Sequence, residues 1–150
     1  MPGAELPFGE ALPSTAAPAA SLGEGVLVAS GWLMLAFVDV ALRLGGFHRF
    51  YRMVEAWPVR RPLPADARTE TVRRTCAAVD RARVYYFKRA WCLQRAAASV
   101  CLLRLRGVPA ELVIGVRKIP FSAHAWTEVD GGVVNDPANL RAVYTEMSRC

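Results

Sequence analysis

The sequence has few cysteines, and none of them is spaced for a metal site. Its 150 residues include four cysteines, at positions 76, 92, 101 and 150, which is too few for a disulfide scaffold. No Cys-x-x-Cys or Cys-x-x-His spacing occurs, so the common zinc motifs are absent. We therefore expect a protein of the reducing cytoplasm that uses neither a metal nor another cofactor.

The N-terminal stretch lacks basic residues. Arg43 is the first of them, whereas Glu5 and Glu10 lie near the start, and this order of charges is not that of a signal peptide. Residues 1–24 are rich in Ala, Pro, Gly and Ser and show no hydrophobic periodicity. We expect a disordered or loosely held tail there.

Lysine is scarce as well. The 19 basic residues are all arginine except Lys88 and Lys118, and the net charge is +6. Arginine suits bidentate recognition of carboxylates and phosphates. Runs of more than two basic residues, RNA-binding signatures and interleaved aromatic and basic residues are all missing. We therefore expect no nucleic-acid partner, and an acidic peptide remains a candidate.

One long apolar stretch is present, at residues 25–44. It is apolar on almost every face and is broken by Ser30 and Asp39. Such a helix is buried in a core, embedded in a membrane or covered by a partner. It barely reaches spanning length, with Arg43 as a positive flank, and Asp39 would be costly inside a bilayer. A core or partner-binding helix, an interfacial helix and a membrane span all remain open.

Glycine and proline then divide the chain. Residues 25–65 form an apolar and arginine-rich helical segment that ends among prolines, and residues 66–150 form the expected catalytic core. A helix is predicted from Asp66 to about Lys88, capped by Asp66 or Thr69, because apolar residues recur at helical spacing along it.

The next helix is predicted from Leu93 to Arg106, with Gly107 as its stop. Cys92 then lies in the first turn, where free N–H groups and the helix dipole favour a thiolate and can meet an oxyanion. Taken alone, Cys92 is more simply explained as a buried thiol. Cys101 is about 180° round the helix and cannot share a site with Cys92.

Two strands follow, over residues 110–116 and 123–129, and they alternate apolar and polar positions. Alternation places His124 on the same face as Trp126 and Glu128. A two-residue loop at Asp130-Gly131 would turn Asp136 away from His124, so a joint role for these residues predicts a three-residue loop or a bulge. Asp136 is also a good cap for a last short helix, and the two roles are compatible.

Cys92, His124 and Asp136 occur in the order nucleophile, base and orienter. A thiol needs a base to form the thiolate, and an imidazole needs a carboxylate to fix its tautomer. The sequence therefore predicts a cysteine hydrolase with these three catalytic residues.

The same region contains the motifs Cys92-Leu93-x-Arg95-Ala96, Arg106-Gly107-Val108-Pro109-Ala110, Ile114-Gly115-Val116-Arg117, Ala123-His124-Ala125-Trp126-Thr127-Glu128 and Asn135-Asp136. Through these motifs it resembles the leader peptidases of lasso-peptide biosynthesis, which belong to the transglutaminase-like, papain-type superfamily of cysteine proteases. The resemblance covers about residues 85–137. It implies an α+β fold in which N-terminal helices and a catalytic helix pack on a small antiparallel sheet. It also implies Cys92 as nucleophile, His124 as general base and acid, and Asp136 as orienter. We expect Trp91, Arg95 and Trp126 to contact the substrate.

The family's activity is removal of the leader from a ribosomally made precursor, as one step of antibiotic biosynthesis. The implied partners are the precursor's leader region, a separate small leader-recognition protein and a cyclase. The implied location is the cytoplasm, with residues 25–44 as a potential contact to the inner face of the membrane. Two alternatives stay open, a transamidase or acyltransferase on the same triad and a non-enzymatic membrane-associated adaptor.

Overall fold

A computed structural model describes residues 22–87 and 91–150. In this part of the chain, three long helices precede a four-stranded antiparallel sheet of order β3-β2-β1-β4, and a short helix leads into the last strand. The predicted α+β class is confirmed, whereas β4 had no sequence-based prediction. The elements are α1 Leu22–Glu55, α2 Ala65–Val84, α3 Cys92–Leu105, β1 Ala110–Arg117, β2 Ser122–Val129, β3 Gly132–Val133, α4 Leu140–Val143 and β4 Thr145–Arg149.

Helix α1 packs one face against α2 and α3. Its inner residues, among them Leu35 and Val38, are buried in the hydrophobic core that these helices share. Gly31 allows close approach, because a Cβ atom there would lie 3.2 Å from the Cβ of Ala82 on α2. The helix is interrupted at Gly46, whose φ of 67° lies outside the helical region. Of the predicted N-terminal tail, residues 22–24 belong to α1, and residues 1–21 lie outside the described residues.

Asp39, the acidic residue of the apolar stretch, is paired inside the protein. Its carboxylate accepts a hydrogen bond from the side chain of Gln94 at 2.9 Å and lies 3.3 Å from Arg43. The outer face of α1 exposes large apolar side chains instead. By length and composition alone α1 could cross a membrane, a test that core helices of soluble proteins also pass. Core packing therefore explains why the inner face of α1 is apolar, but it does not explain the apolar outer face.

Helix α3 is the central helix of the fold. All residues from Ala96 to Leu103 are buried between the other helices and the sheet. The predicted stop at Gly107 is confirmed, because its φ of 83° ends the helix. Helix α2 begins at Ala65 with Pro64 as its cap, so the predicted caps were wrong. It ends at Val84, short of the predicted Lys88, which lies outside the described residues.

The hairpin between β2 and β3 has a two-residue turn, and the predicted three-residue loop or bulge was wrong. Val129 pairs with Gly132, and the turn residues Asp130 and Gly131 have φ values of 49° and 79°. Two consecutive positive φ values are the signature of a type I′ turn, for which Asp-Gly is a preferred sequence. Local turn chemistry therefore decided the register.

Asp136 escapes this register because β3 ends early, at Val133. The backbone N–H of Thr127 donates to the side-chain oxygen of Asn135 at 2.8 Å. In an ideal antiparallel ladder it would instead donate to the backbone carbonyl of Val134. The backbone thus leaves the sheet before Asp136, whose face is no longer set by strand alternation. Asp136 is not a helix cap either, since Asn139 precedes α4.

Glu128 joins the C-terminal segment to the sheet. Its fully buried carboxylate accepts hydrogen bonds from the Arg141 guanidinium at 2.8 Å, from the Trp126 indole at 2.8 Å and from the Arg149 guanidinium at 2.9 Å. Burial alone would raise the pKa of Glu128, but these donors outweigh it and lower the pKa to about 2. A charge buried with three partners stabilises the fold only while it is ionised.

The substitution Glu128→Gln should therefore lower the free energy of unfolding at pH 7 by about 3 kcal/mol. Since the folded-state pKa lies below the ordinary value, the wild-type advantage is present above about pH 4.5 and disappears as the pH falls toward 2. Urea unfolding across this pH range measures it, with Glu70→Gln in an exposed pair as the matched control. Equal stabilities of Glu128→Gln and wild type at pH 7 would contradict this assignment.

Candidate active site

His124 and Asp136 lie side by side at an open edge of the sheet. Because β3 pairs only with Glu128 and Val129, the edge of β2 beside His124 is left without a strand. The chain after β3 brings Asp136 to this edge, with its Oδ2 atom 3.5 Å from Nε2 of His124. Both side chains are largely shielded, at 23% and 13% exposure. The structure thus joins two of the predicted catalytic residues.

The contact involves Nε2 of the imidazole. A proton on Nε2 would face the carboxylate, and Nδ1 would then be the nitrogen that accepts a proton from a nucleophile. Oδ2 of Asp136 is buried and has no hydrogen-bond partner among the described residues. At 3.5 Å the pair is longer than an ordinary hydrogen bond, as is common at catalytic sites without substrate. The buried oxygen is therefore an acceptor that a small movement of His124 would satisfy.

Cys92 is the first residue of α3 and is half-buried. The helix start is held by Gln94, whose side-chain oxygen accepts the backbone N–H of Trp91 at 2.7 Å. The amide nitrogen of the same side chain donates to Asp39 on α1. Gln94 therefore ties the end of α3 that carries Cys92 to the helical layer, a role that no sequence motif indicated.

Arg95 connects the first turn of α3 to Asp136. Its Nη1 atom donates to Oδ1 of Asp136 at 3.1 Å, and its Nη2 atom donates to the carbonyl of Asn135. One residue further on, the Ala96 carbonyl accepts a hydrogen bond from the Thr127 hydroxyl at 3.2 Å, so α3 is seated on β2. Cys92 lies one turn before Arg95 on the same helix. Cys92 and Arg95 thus share the first turn of α3, and of the three predicted catalytic residues His124 and Asp136 make the direct contact.

The three residues predicted to contact substrate differ in exposure. Trp91 is 67% exposed beside Cys92. The side chain of Arg95 is 14% exposed and engaged with protein partners. Trp126 is buried, and its indole donates to Glu128. Of the three, Trp91 alone offers an open surface to a substrate.

Sequence reasoning missed part of the packing around His124. The ring of Tyr144, which precedes β4, lies 5.6 Å from the imidazole, and the Trp126 ring lies 6.3 Å away and nearly parallel to it. Gly115 is the strand partner of His124, and a Cβ atom there would come within 2.7 Å of the Trp126 ring. A glycine inside a strand was the available signal for this close approach.

The remaining described thiols are unsuited to nucleophilic attack. Burial raises the pKa of Cys76 to about 11 and that of Cys101 to about 12. Burial also raises the pKa of Cys150. No group of three His, Cys, Asp or Glu side chains within residues 22–87 and 91–150 is arranged to hold a metal ion.

The described residues thus include a thiol at the first residue of the central helix and a histidine–aspartate pair at the edge of an antiparallel sheet. The sequence matches the family model of the transglutaminase-like superfamily over residues 34–149. This match covers most of the chain, which therefore belongs to the transglutaminase-like superfamily. Its start inside α1 places much of that helix within the family's domain.

A curated relative extends the comparison. The chain is 48% identical over 50 residues to the microcin J25-processing protein McjB of Escherichia coli. This stretch is 33% of the chain and 24% of that protein, so the match spans about a quarter of the relative. No solved structure matches the chain.

The exposure of the thiols predicts selective labelling. Iodoacetamide at neutral pH should alkylate Cys92 on the order of 100-fold faster than Cys76 and Cys101, because the buried thiols stay protonated and inaccessible. Peptide mapping by mass spectrometry measures each rate, and all four thiols should react alike in denaturant. Equal rates in the native protein would contradict the assignment of Cys92 as the reactive thiol.

Proposed function

We propose that this protein is a cysteine peptidase that removes the leader peptide from a ribosomally made lasso-peptide precursor. The observation that carries the proposal is the His124–Asp136 contact, linked through Arg95 to the helix turn that begins with Cys92. Membership of the transglutaminase-like superfamily and the similarity to a microcin-processing protein support it.

The mechanism is a two-step acyl transfer. The Cys92 thiol gives its proton to Nδ1 of His124, and the thiolate attacks the scissile carbonyl carbon. His124 then protonates the leaving amine as the C–N bond breaks, which leaves a thioester on Cys92 and frees the new N-terminus. Water, deprotonated by His124, hydrolyses the thioester and releases the leader carboxylate. Asp136 orients the imidazole.

The surroundings of the site suit a peptide substrate. Large apolar side chains are exposed on the segment that leads to Cys92 and on the loop that leads to His124. Exposed apolar side chains in the segments next to the candidate catalytic residues favour a peptide with apolar residues. The exposed residues are Tyr85, Phe87, Trp91, Ile119 and Phe121.

The substitution Cys92→Ala should reduce precursor cleavage by on the order of 10⁴-fold or more, because no thioester can form. Binding of the precursor should be retained. Mass spectrometry of a precursor incubated with the protein and its recognition partner measures the products, and Cys150→Ser serves as the thiol control. Cleavage by Cys92→Ala at the wild-type rate would refute the mechanism, and a leader joined to an amine would identify a transamidase.

The outer face of α1 is the proposed docking surface for the leader-recognition protein. Large apolar side chains on α1 recur at spacings of four and three residues and are exposed, namely Leu33, Phe37, Val40 and Leu44. This spacing is the one by which helices pack against a partner. The segment 25–65 then supports the core formed by residues 66–150 and places the recognition protein beside it, and the complex works in the cytoplasm.

The paired substitutions Leu33→Glu and Phe37→Glu should weaken binding of the recognition protein on the order of 100-fold, because charges replace the centre of the apolar stripe. Calorimetric titration measures the affinity. Met147→Glu, which places a charge at an exposed apolar residue of β4, is the matched control. Unchanged partner affinity would contradict this docking surface, and the face would belong to the membrane if wild type floated on anionic vesicles and the double variant did not.

A further inference from the structure

We propose that Arg95 and Asp80 form a brace that positions the Asp136 carboxylate against His124. Arg95 is then a positioning residue and does not bind substrate. This inference rests on the proposed function, since it assigns how the orienter of the candidate triad is held.

Arg95 lies between two acidic side chains from distant parts of the chain. Its Nε and Nη2 atoms donate to the two carboxylate oxygens of Asp80 on α2, at 2.6 Å and 3.2 Å. Its Nη1 atom donates to Oδ1 of Asp136 at 3.1 Å, and Nη2 also donates to the carbonyl of Asn135. Two edges of one planar guanidinium are thus occupied by two separate parts of the chain.

The brace determines which oxygen of Asp136 faces the imidazole. Arg95 occupies Oδ1, which leaves Oδ2 directed to Nε2 of His124 at 3.5 Å. The bond to the Asn135 carbonyl holds the backbone just before Asp136. This is the place where the chain has left the sheet and has no ladder hydrogen bonds to orient it. Arg95 therefore supplies the orientation that strand pairing would otherwise give.

The negative charge of Asp80 offsets the positive charge of Arg95 beside Asp136. Arg95 alone would neutralise the charge of the Asp136 carboxylate that faces the imidazole. With Asp80 included, the three side chains carry a formal net charge of −1, the same as Asp136 alone. Burial acts to lower the pKa of Arg95, but the bonds and charges of Asp80 and Asp136 raise it above its usual range, so the guanidinium stays charged.

Kinetics distinguish positioning from substrate binding. Arg95→Gln should lower kcat for precursor cleavage on the order of 100-fold with KM nearly unchanged, because a displaced orienter affects the reacting geometry and not the bound peptide. Arg95→Lys keeps the positive charge but lacks the planar set of N–H donors, so its kcat should lie between those of Arg95→Gln and wild type. Asp80→Asn should lower kcat about 10-fold. Arg68→Gln is the matched control, since it also removes an arginine–aspartate contact of 2.8 Å between α2 and the hairpin.

A second measurement needs no substrate. Nitrogen-15 NMR of the imidazoles should show the Nε2–H tautomer for His124 in wild type and in Arg68→Gln, and a mixture in Arg95→Gln. Exposed His48 is the internal reference, because it is the only other histidine. If wild type fails to cleave precursor, the proposed function is wrong, and the spectra still test the brace.

Two results would overturn the brace. One is a raised KM in Arg95→Gln with unchanged kcat and an unchanged His124 tautomer, which would assign Arg95 to substrate binding. The other is wild-type kinetics and spectra in Arg95→Lys and Asp80→Asn, which decides the question even if Arg95→Gln does not fold.

Discussion

The Asp136 carboxylate, held between the guanidinium of Arg95 and the imidazole of His124, is the interaction on which the candidate site depends. It joins the central helix to the edge of the sheet at the point where the chain leaves regular structure. A buried carboxylate is costly unless cations and donors face it, so this junction forms only when helix and sheet pack correctly. Assembly of the fold and assembly of the site are therefore the same event.

Helix α3 is the element that makes this possible. Small side chains along its middle, including Ala96, Ala97 and Ala98, allow other elements to pack on all of its sides. Its first turn presents Cys92, and its position is set by Gln94 toward α1 and by the Ala96 carbonyl toward β2. Contacts from both layers thus determine where the thiol lies, as expected for a site carried by a rigid element.

The face of the sheet that carries His124 also carries a second buried charge. Glu128 accepts hydrogen bonds from the Trp126 indole and from two arginines of the C-terminal segment. Trp126 in turn lies beside the imidazole of His124. The C-terminal strand, which had no sequence-based prediction, therefore contributes to the packing of the histidine. An alternation pattern reveals which residues share a face, but it does not reveal which later segment covers that face.

Local signals in the sequence were enough for the helices, for the first two strands, for the helix stop at Gly107 and for the order of Cys92, His124 and Asp136. These features follow from periodicity, glycine conformations and residue chemistry within a few neighbouring positions. The predicted hairpin register was wrong, because it followed from a joint role of His124 and Asp136, whereas Asp-Gly prefers a two-residue turn. Only the tertiary structure decided that Arg95 meets Asp80 and Asp136, which are 15 and 41 residues away from it along the chain. Contacts over such separations depend on how whole elements pack, and no local pattern encodes that.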